Sequence, residues 1–168
     1  STDFVQSHTW YLAGPSVEDE KIINDVRLNY NLIKVTVNNE PKGEIELNVM
    51  ITPCGQNNGP PTILPVNSSF LELVYKSSQP IKLQAREGNE AGTDCIHGGS
   101  HPRVDLPKVV NSFRKVRIPW SKFRQDELQD GKLLDINNIC KLNFVNYYPE
   151  PGAVLEIRSI KIDNFKLK

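Results

Sequence analysis

Short runs in which every second residue is apolar recur along this chain, and a repeat of two is that of a strand with one face buried. In GEIELNVMI, Ile45, Leu47, Val49 and Ile51 share one side while Glu44, Glu46, Asn48 and Met50 share the other. The stretch SSFLELVYKSSQPIKLQAREG shows the pattern twice, with Leu71, Leu73 and Tyr75 in one arm and Ile81, Leu83 and Ala85 in the next. Ser77, Ser78, Gln79 and Pro80 between the arms predict a hairpin, and the second arm then presents Lys82, Gln84 and Arg86 in a row opposite its core face. Residues 32–38 alternate less cleanly, but the connection NNEPKG has the turn residues that make this run a hairpin partner of the strand after it. Further strands are expected at about 113–118, 141–147 and 154–162. A single helical turn is expected near 121–127, with Ser121 as its N-cap. Twelve prolines and ten glycines punctuate these runs. Many short antiparallel strands with hardly a helix predict an all-β fold, a two-sheet antiparallel sandwich or a barrel.

The 168 residues predict one domain spanning 1–168, with enough chain for a sizeable core. Twenty basic residues balance twenty acidic ones, which disfavours nucleic acid and anionic membrane as partners, and a monomer is expected. No apolar stretch is long enough for a spanning helix, and no basic start leads into the apolar core of a signal peptide. Gly-x-Ser-x-Gly, phosphate-loop, dinucleotide and His-Glu-x-x-His patterns are absent, which removes the commonest motif-bearing enzyme classes. The cysteines number three, an odd count that permits one disulfide plus a thiol or three thiols. Cys54 and Cys95 lie in Gly/Pro/Asn-rich stretches and are expected to pair, whereas Cys140 falls in an alternating run and is expected on a strand, buried. Asn67-Ser68-Ser69 is a glycosylation acceptor in a secretory context, which with a disulfide tilts the reading towards a secreted protein.

Three signatures follow one another in the C-terminal half. Ile118-Pro119 precedes Trp120 and Phe123; Leu134-Asp135-Ile136 leads to Ile139, Leu142 and Phe144; Gly152 precedes Leu155-Glu156-Ile157-Arg158-Ser159-Ile160. In this order, with FLELVYKSSQPIKLQAREG upstream and Asp3-Phe4 and Trp10 at the start, the chain resembles jelly-roll carbohydrate-binding modules of the galactose-binding-like β-sandwich type. The resemblance covers about the last hundred residues and the first dozen. It implies a jelly-roll sandwich, a polysaccharide partner such as a β-glucan or a uronate-containing glycan, an extracellular setting and an appended catalytic domain. Modules of this group often hold a structural calcium through acidic residues on the first and last strands. Here Val5 follows Phe4, and Arg158 falls at the acidic place if Ile157 and Ile160 are aligned. If the closing strand is IKIDNFKL, Asp163 takes that place, and Asp3 with Asp163 becomes the expected calcium pair.

A glycan site needs aromatic faces for the apolar side of sugar rings and planar polar groups for hydroxyls. Lys82, Gln84 and Arg86 supply polar groups, Asn143 and Tyr147 alternate with core positions Leu142 and Phe144, and Trp10 lies in the polar stretch SHTWYLAG where stacking on ligand and packing in the core are both open. The same residues read equally as a solvated strand face, and Trp120 is expected in the core. Glu44, Glu46, Asn48 and Met50 line either the same groove or open solvent. Asp94, Cys95, His97 and His101 are donors that suit zinc, although a polar loop is the stronger reading. A polysaccharide lyase on the same fold would use Tyr147 with Arg86 and Lys82, and sandwiches of the intermediate-associated, CIA30 type bind proteins instead.

Overall fold

The computed structural model describes residues 1–7, 9–13, 24–28, 31–37, 43–51, 61–87, 101–126 and 131–167. Among the described residues there are ten strands: β1 (Trp10–Leu12), β2 (Asn24–Leu28), β3 (Ile33–Val37), β4 (Ile45–Met50), β5 (Phe70–Ser77), β6 (Ile81–Glu87), β7 (Arg103–Leu106), β8 (Val109–Pro119), β9 (Ile139–Asn146) and β10 (Val154–Ile162). They form two five-stranded sheets, β1-β4-β9-β6-β7 and β2-β3-β10-β5-β8, in which every named pairing is antiparallel. This is a β-sandwich, as the alternation predicts. The closing strand is 154–162, so Asp163 stands just beyond it.

The alternating apolar residues all turn inward. Ile45, Leu47 and Val49 of β4, Leu83 and Ala85 of β6 and Phe144 of β9 meet Ile33 and Val35 of β3, Leu71, Leu73 and Tyr75 of β5, and Leu155, Ile157 and Ile160 of β10 in one buried cluster. At about 25 cal/mol per Å² of apolar surface removed from water, each fully buried Leu or Ile contributes about 2 kcal/mol. Tyr75 brings a hydroxyl into this interior, and that hydroxyl donates to the Pro107 carbonyl at 2.7 Å, which satisfies it.

Both expected hairpins are corrected. β5 and β6 belong to opposite sheets, as do β3 and β4, so each connection carries the chain across the sandwich rather than back along a neighbour. The period of two says which face of a strand is apolar and is silent on whether the next strand lies beside it or across the core. At the Ser77–Pro80 corner the Ser77 hydroxyl donates to the Gln79 carbonyl at 2.6 Å, and Ser78 exchanges hydrogen bonds with the start of β10.

Two bulges keep the core faces aligned. Between β10 and β5 the register shifts at Arg158, so that Ile157 and Ile160 both point inward while Arg158 is exposed over the Phe113 ring at 4.0 Å. Between β9 and β6 it shifts at Cys140, leaving Ile139 in the core and Cys140 packed with Met50 on the other side. Cys140 is buried and disulfide-bonded, which corrects its reading as a leftover thiol. Cys54 and Cys95, the expected pair, lie outside the described residues, as do Asp94 and His97.

Trp120 opens a 3-10 turn, Trp120–Lys122, so Ser121 lies inside the turn and caps nothing. The indole is 5% exposed, packs on Phe123 at 5.5 Å and donates to the Ser68 hydroxyl at 3.2 Å. That burial leaves Ser68 inside while Asn67 of the same tripeptide is exposed.

Asp3 ties the N-terminal segment to β10. One of its carboxylate oxygens accepts from the Val5 and Ile160 amides, both at 3.1 Å, and the other from the Ser159 hydroxyl at 2.9 Å. Asp163 accepts from the Ser69 amide at 2.9 Å. Both expected calcium ligands thus act as acceptors for protein donors, and among the described residues no group of three or more His, Cys, Asp or Glu is placed to hold a metal. Asp3→Ala removes three charge-assisted bonds and is expected to lower unfolding free energy by about 2–3 kcal/mol. Urea unfolding at pH 7 checks this, and a change below about 0.5 kcal/mol would show that the clasp contributes nothing.

Candidate functional site

The outward side of the first sheet carries a grid of polar side chains fixed by strand register. Across its middle runs the row Tyr11, Asn48, Asn143, Gln84 and Arg103, contributed by β1, β4, β9, β6 and β7 in that spatial order. One step along the strands lie Glu46, Val145, Lys82 and Asp105, and on the other side Met50, Lys141 and Arg86. The structure therefore brings together five of the residues singled out by sequence, namely Lys82, Gln84, Arg86, Asn143 and Tyr147.

The middle of this grid is buried yet unsatisfied. Asn48 and Asn143 are 1% and 0% exposed, and both the amide nitrogen and the carbonyl oxygen of each lack a hydrogen-bond partner. The Nε of Arg86 is likewise buried and unpartnered. Leaving such groups unpaired costs on the order of 1–3 kcal/mol apiece, a cost that a core position would not retain. Four amide atoms, two donors and two acceptors, are thus left without partners beneath this face.

The charges around them are already paired. Arg86 Nη2 donates to Gln84 Oε1 at 3.3 Å and lies 3.7 Å from Glu46 Oε1. Lys82 Nζ meets Asp105 Oδ1 at 3.5 Å, and Arg103 meets Asp126 at 2.8 Å. Lys141 Nζ donates to the Tyr11 hydroxyl at 3.2 Å. The row Lys82, Gln84, Arg86 is in place as expected, but its cations face carboxylates from other strands.

Aromatic surface borders the grid. Tyr11 is 43% exposed at one margin, and Tyr147 and Tyr148 are 42% and 95% exposed at the end of β9. Tyr147 hydrogen-bonds the Gln84 side chain; burial first, then Glu46, hold its hydroxyl above the usual phenol range, against the opposing pull of Arg86. The turn that carries both tyrosines is braced: Asn146 Nδ2 donates to Gln79 Oε1 at 3.3 Å and to the Pro80 carbonyl at 3.1 Å, while the Glu150 amide donates to the same Gln79 oxygen at 3.1 Å. A cavity of about 430 Å³ lies here, lined by Pro80, Ile81, Lys82, Asp105, Val145 and the two tyrosines among others.

Trp10 takes the core packing that was one of its two open roles. It pairs with Val49, packs against the core and donates its indole N–H to the Val5 carbonyl at 3.3 Å. Strand alternation then puts its neighbour Tyr11 on the polar face, a residue the sequence reading missed and strict parity along HTWYL would have found.

Glu44 lies two residues before Glu46 on the same strand side. Burial, and secondly the Glu46 charge, raise its pKa above the ordinary value. A raised carboxyl pKa means that the folded protein binds the proton more tightly than the unfolded chain, so stability falls as pH rises through the ordinary and then the raised value. Glu44→Gln is therefore expected to raise the melting temperature at pH 7 and to leave it unchanged near pH 3. Melting curves at the two pH values check this; an equal shift at both would remove the titration argument.

No family model matches the chain, and no curated protein matches it. Solved structures do. A family 11 carbohydrate-binding module from Clostridium thermocellum, in complex with a β-1,3-1,4-mixed-linked tetrasaccharide, superposes with a TM-score of 0.63 at 17% identity, over 93% of this chain and 89% of that one. The family 11 module of the cellulosomal cellulase Lic26A-Cel5E of Clostridium thermocellum gives 0.61 at 16% identity, over 95% and 90%. An exo-β-agarase gives 0.59 at 9% identity, where 96% of this chain matches 24% of that enzyme. At these identities the likeness defines the fold, a jelly-roll sandwich of the kind found in carbohydrate-binding modules.

Proposed function

We propose that this chain is a non-catalytic carbohydrate-binding module that holds a polysaccharide on the outer face of its first sheet. The observation that carries this reading is the pair of buried, unpartnered amides of Asn48 and Asn143. Each amide offers a donor and an acceptor in one plane, which is what a pair of sugar hydroxyls, themselves donors and acceptors, can satisfy. Tyr11 and Tyr147 at the margins supply flat apolar surface for the C–H face of the rings. The neutral balance of Arg86 with Glu46 and of Lys82 with Asp105 favours an uncharged glycan over a uronate on this face, and a β-glucan is the class that the mixed-linked ligand of the family 11 likeness supports.

A binding role fits the chemistry better than a lyase. A lyase of this fold would use Tyr147 with Arg86 and Lys82, and both of those cations already face carboxylates at 3.7 and 3.5 Å, which supports binding over catalysis. The likeness to one part of a much longer agarase supports a module carried beside a catalytic domain, and the cellulosomal origin of the family 11 likeness supports an extracellular setting.

Calorimetric titration with a mixed-linked β-glucan tetrasaccharide, with chromatography of the same samples for products, tests the proposal. Saturable binding without cleavage is expected. Asn143→Ala leaves a sugar hydroxyl without a partner, and should weaken binding about tenfold or more, since 1.4 kcal/mol is a factor of ten. Tyr11→Ala should cost a similar factor, while Trp10→Phe should leave affinity unchanged. No binding to any neutral glycan would sink the reading, and released products would move the chain to the enzymes.

A further inference from the structure

The charge of this protein is balanced overall but not locally. Between Pro107 and Gln125 the chain carries Lys108, Arg114, Lys115, Arg117, Lys122 and Arg124 and not one Asp or Glu. The structure lays most of this run along β8, an edge strand of the second sheet, away from the polar grid on the first. Its eleven residues extend about 36 Å at 3.3 Å per residue.

Four of the cations have no acidic partner among the described residues. Lys115 and Arg117 reach Glu72 at 3.7 and 3.0 Å, and Arg124 donates to the Gly131 carbonyl at 2.6 Å. Lys108, Arg114 and Lys122 are exposed, and none makes an ion pair among the described residues. The strand also departs from its neighbour: between the pairs Tyr75 with Arg114 and Ser77 with Val109, four residues of β8 oppose one of β5. The resulting outward bulge borders a cavity of about 550 Å³ lined by residues 108–115.

We infer that the β8 flank is a second binding site, for a linear polyuronate. Its unneutralised cations lie along an extended line and so match a polymer with repeated carboxylates better than a single compact anion. Phe113, the aromatic ring on this strand, lies under Arg158 at 4.0 Å and Lys76 at 5.4 Å and is closed to a stacking nucleobase. Val110 is the one exposed large hydrophobic of β8, too little for insertion into a lipid surface. Lys82 and Arg86 on the first sheet, by contrast, already face carboxylates. The inference stands independently of the neutral-glycan proposal, since it uses a different sheet and different residues.

Affinity electrophoresis in gels containing polygalacturonate, with parallel gels containing mixed-linked β-glucan or single-stranded DNA, tests it. Retardation by polygalacturonate is expected at low salt, with little remaining at 1 M salt, where the screening length falls to about 3 Å. The variant Lys108→Gln/Arg114→Gln/Lys122→Gln should bind polygalacturonate about tenfold more weakly, with an unaltered melting curve that shows it folded. Asn143→Ala should leave polygalacturonate retardation unchanged. The inference is overturned by no retardation at low salt, by retardation that the triple variant retains, or by stronger retardation in DNA than in polyuronate. The first outcome would leave the cations as guards of an exposed sheet edge.

Discussion

Two facing sheets exclude water only while every strand keeps the same side inward, and a one-residue slip would exchange its apolar set for its polar one. β10 meets this condition by bulging at Arg158, so that Ile157 and Ile160 both stay inside although the spacing between them is three. β9 does the same at Cys140. The polar grid exists because these corrections hold. With β9 in register, Asn143 stands between Asn48 and Gln84, and the row of side chains crosses five strands without a break. Core and site are therefore two sides of one constraint, and a change that shifts β9 by a residue would lose both.

Much of the fold was legible because burial imposes a simple repeat. The inward sets of β4, β5 and β6, the Trp120 anchor and the bounds of β10 all follow from period two and a Pro-aromatic step. What period two does not encode is the neighbour: Ser77–Pro80 has the composition of a hairpin turn, yet it spans the core, because both arms bury the same kind of face. The turn expected at 121–127 is a three-residue turn at 120–122, since Pro119 fixes φ just ahead of Trp120 and Phe123 is extended again.

The site was legible by side and not by charge. Alternation placed Lys82, Gln84, Arg86 and Asn143 outward, but their partners Asp105 and Glu46 come from strands distant in sequence, and only the sheet order reveals the pairing. Parity also separates Trp10 from Tyr11, and a bulky indole in a polar stretch drew notice that belonged to the smaller ring beside it. The brace formed by Gln79 had no sequence signature at all, since it joins one corner of the sandwich to another.

The order of strands carries a consequence for synthesis. β9 lies between β4 and β6 at the centre of one sheet, and β10 lies between β3 and β5 at the centre of the other, yet they are the last two strands of the ten to leave a ribosome. Until they emerge, β4 and β6, like β3 and β5, are separated by a gap that nothing earlier in the chain fills, and each half-sheet exposes an unpaired edge. Closure of both sheets thus waits for β9 and β10 and then proceeds together, through contacts far apart in sequence and so slow to form. A chain released before residue 139 would have two open gaps and no complete core, which makes early termination, rather than point substitution, the event this architecture tolerates least.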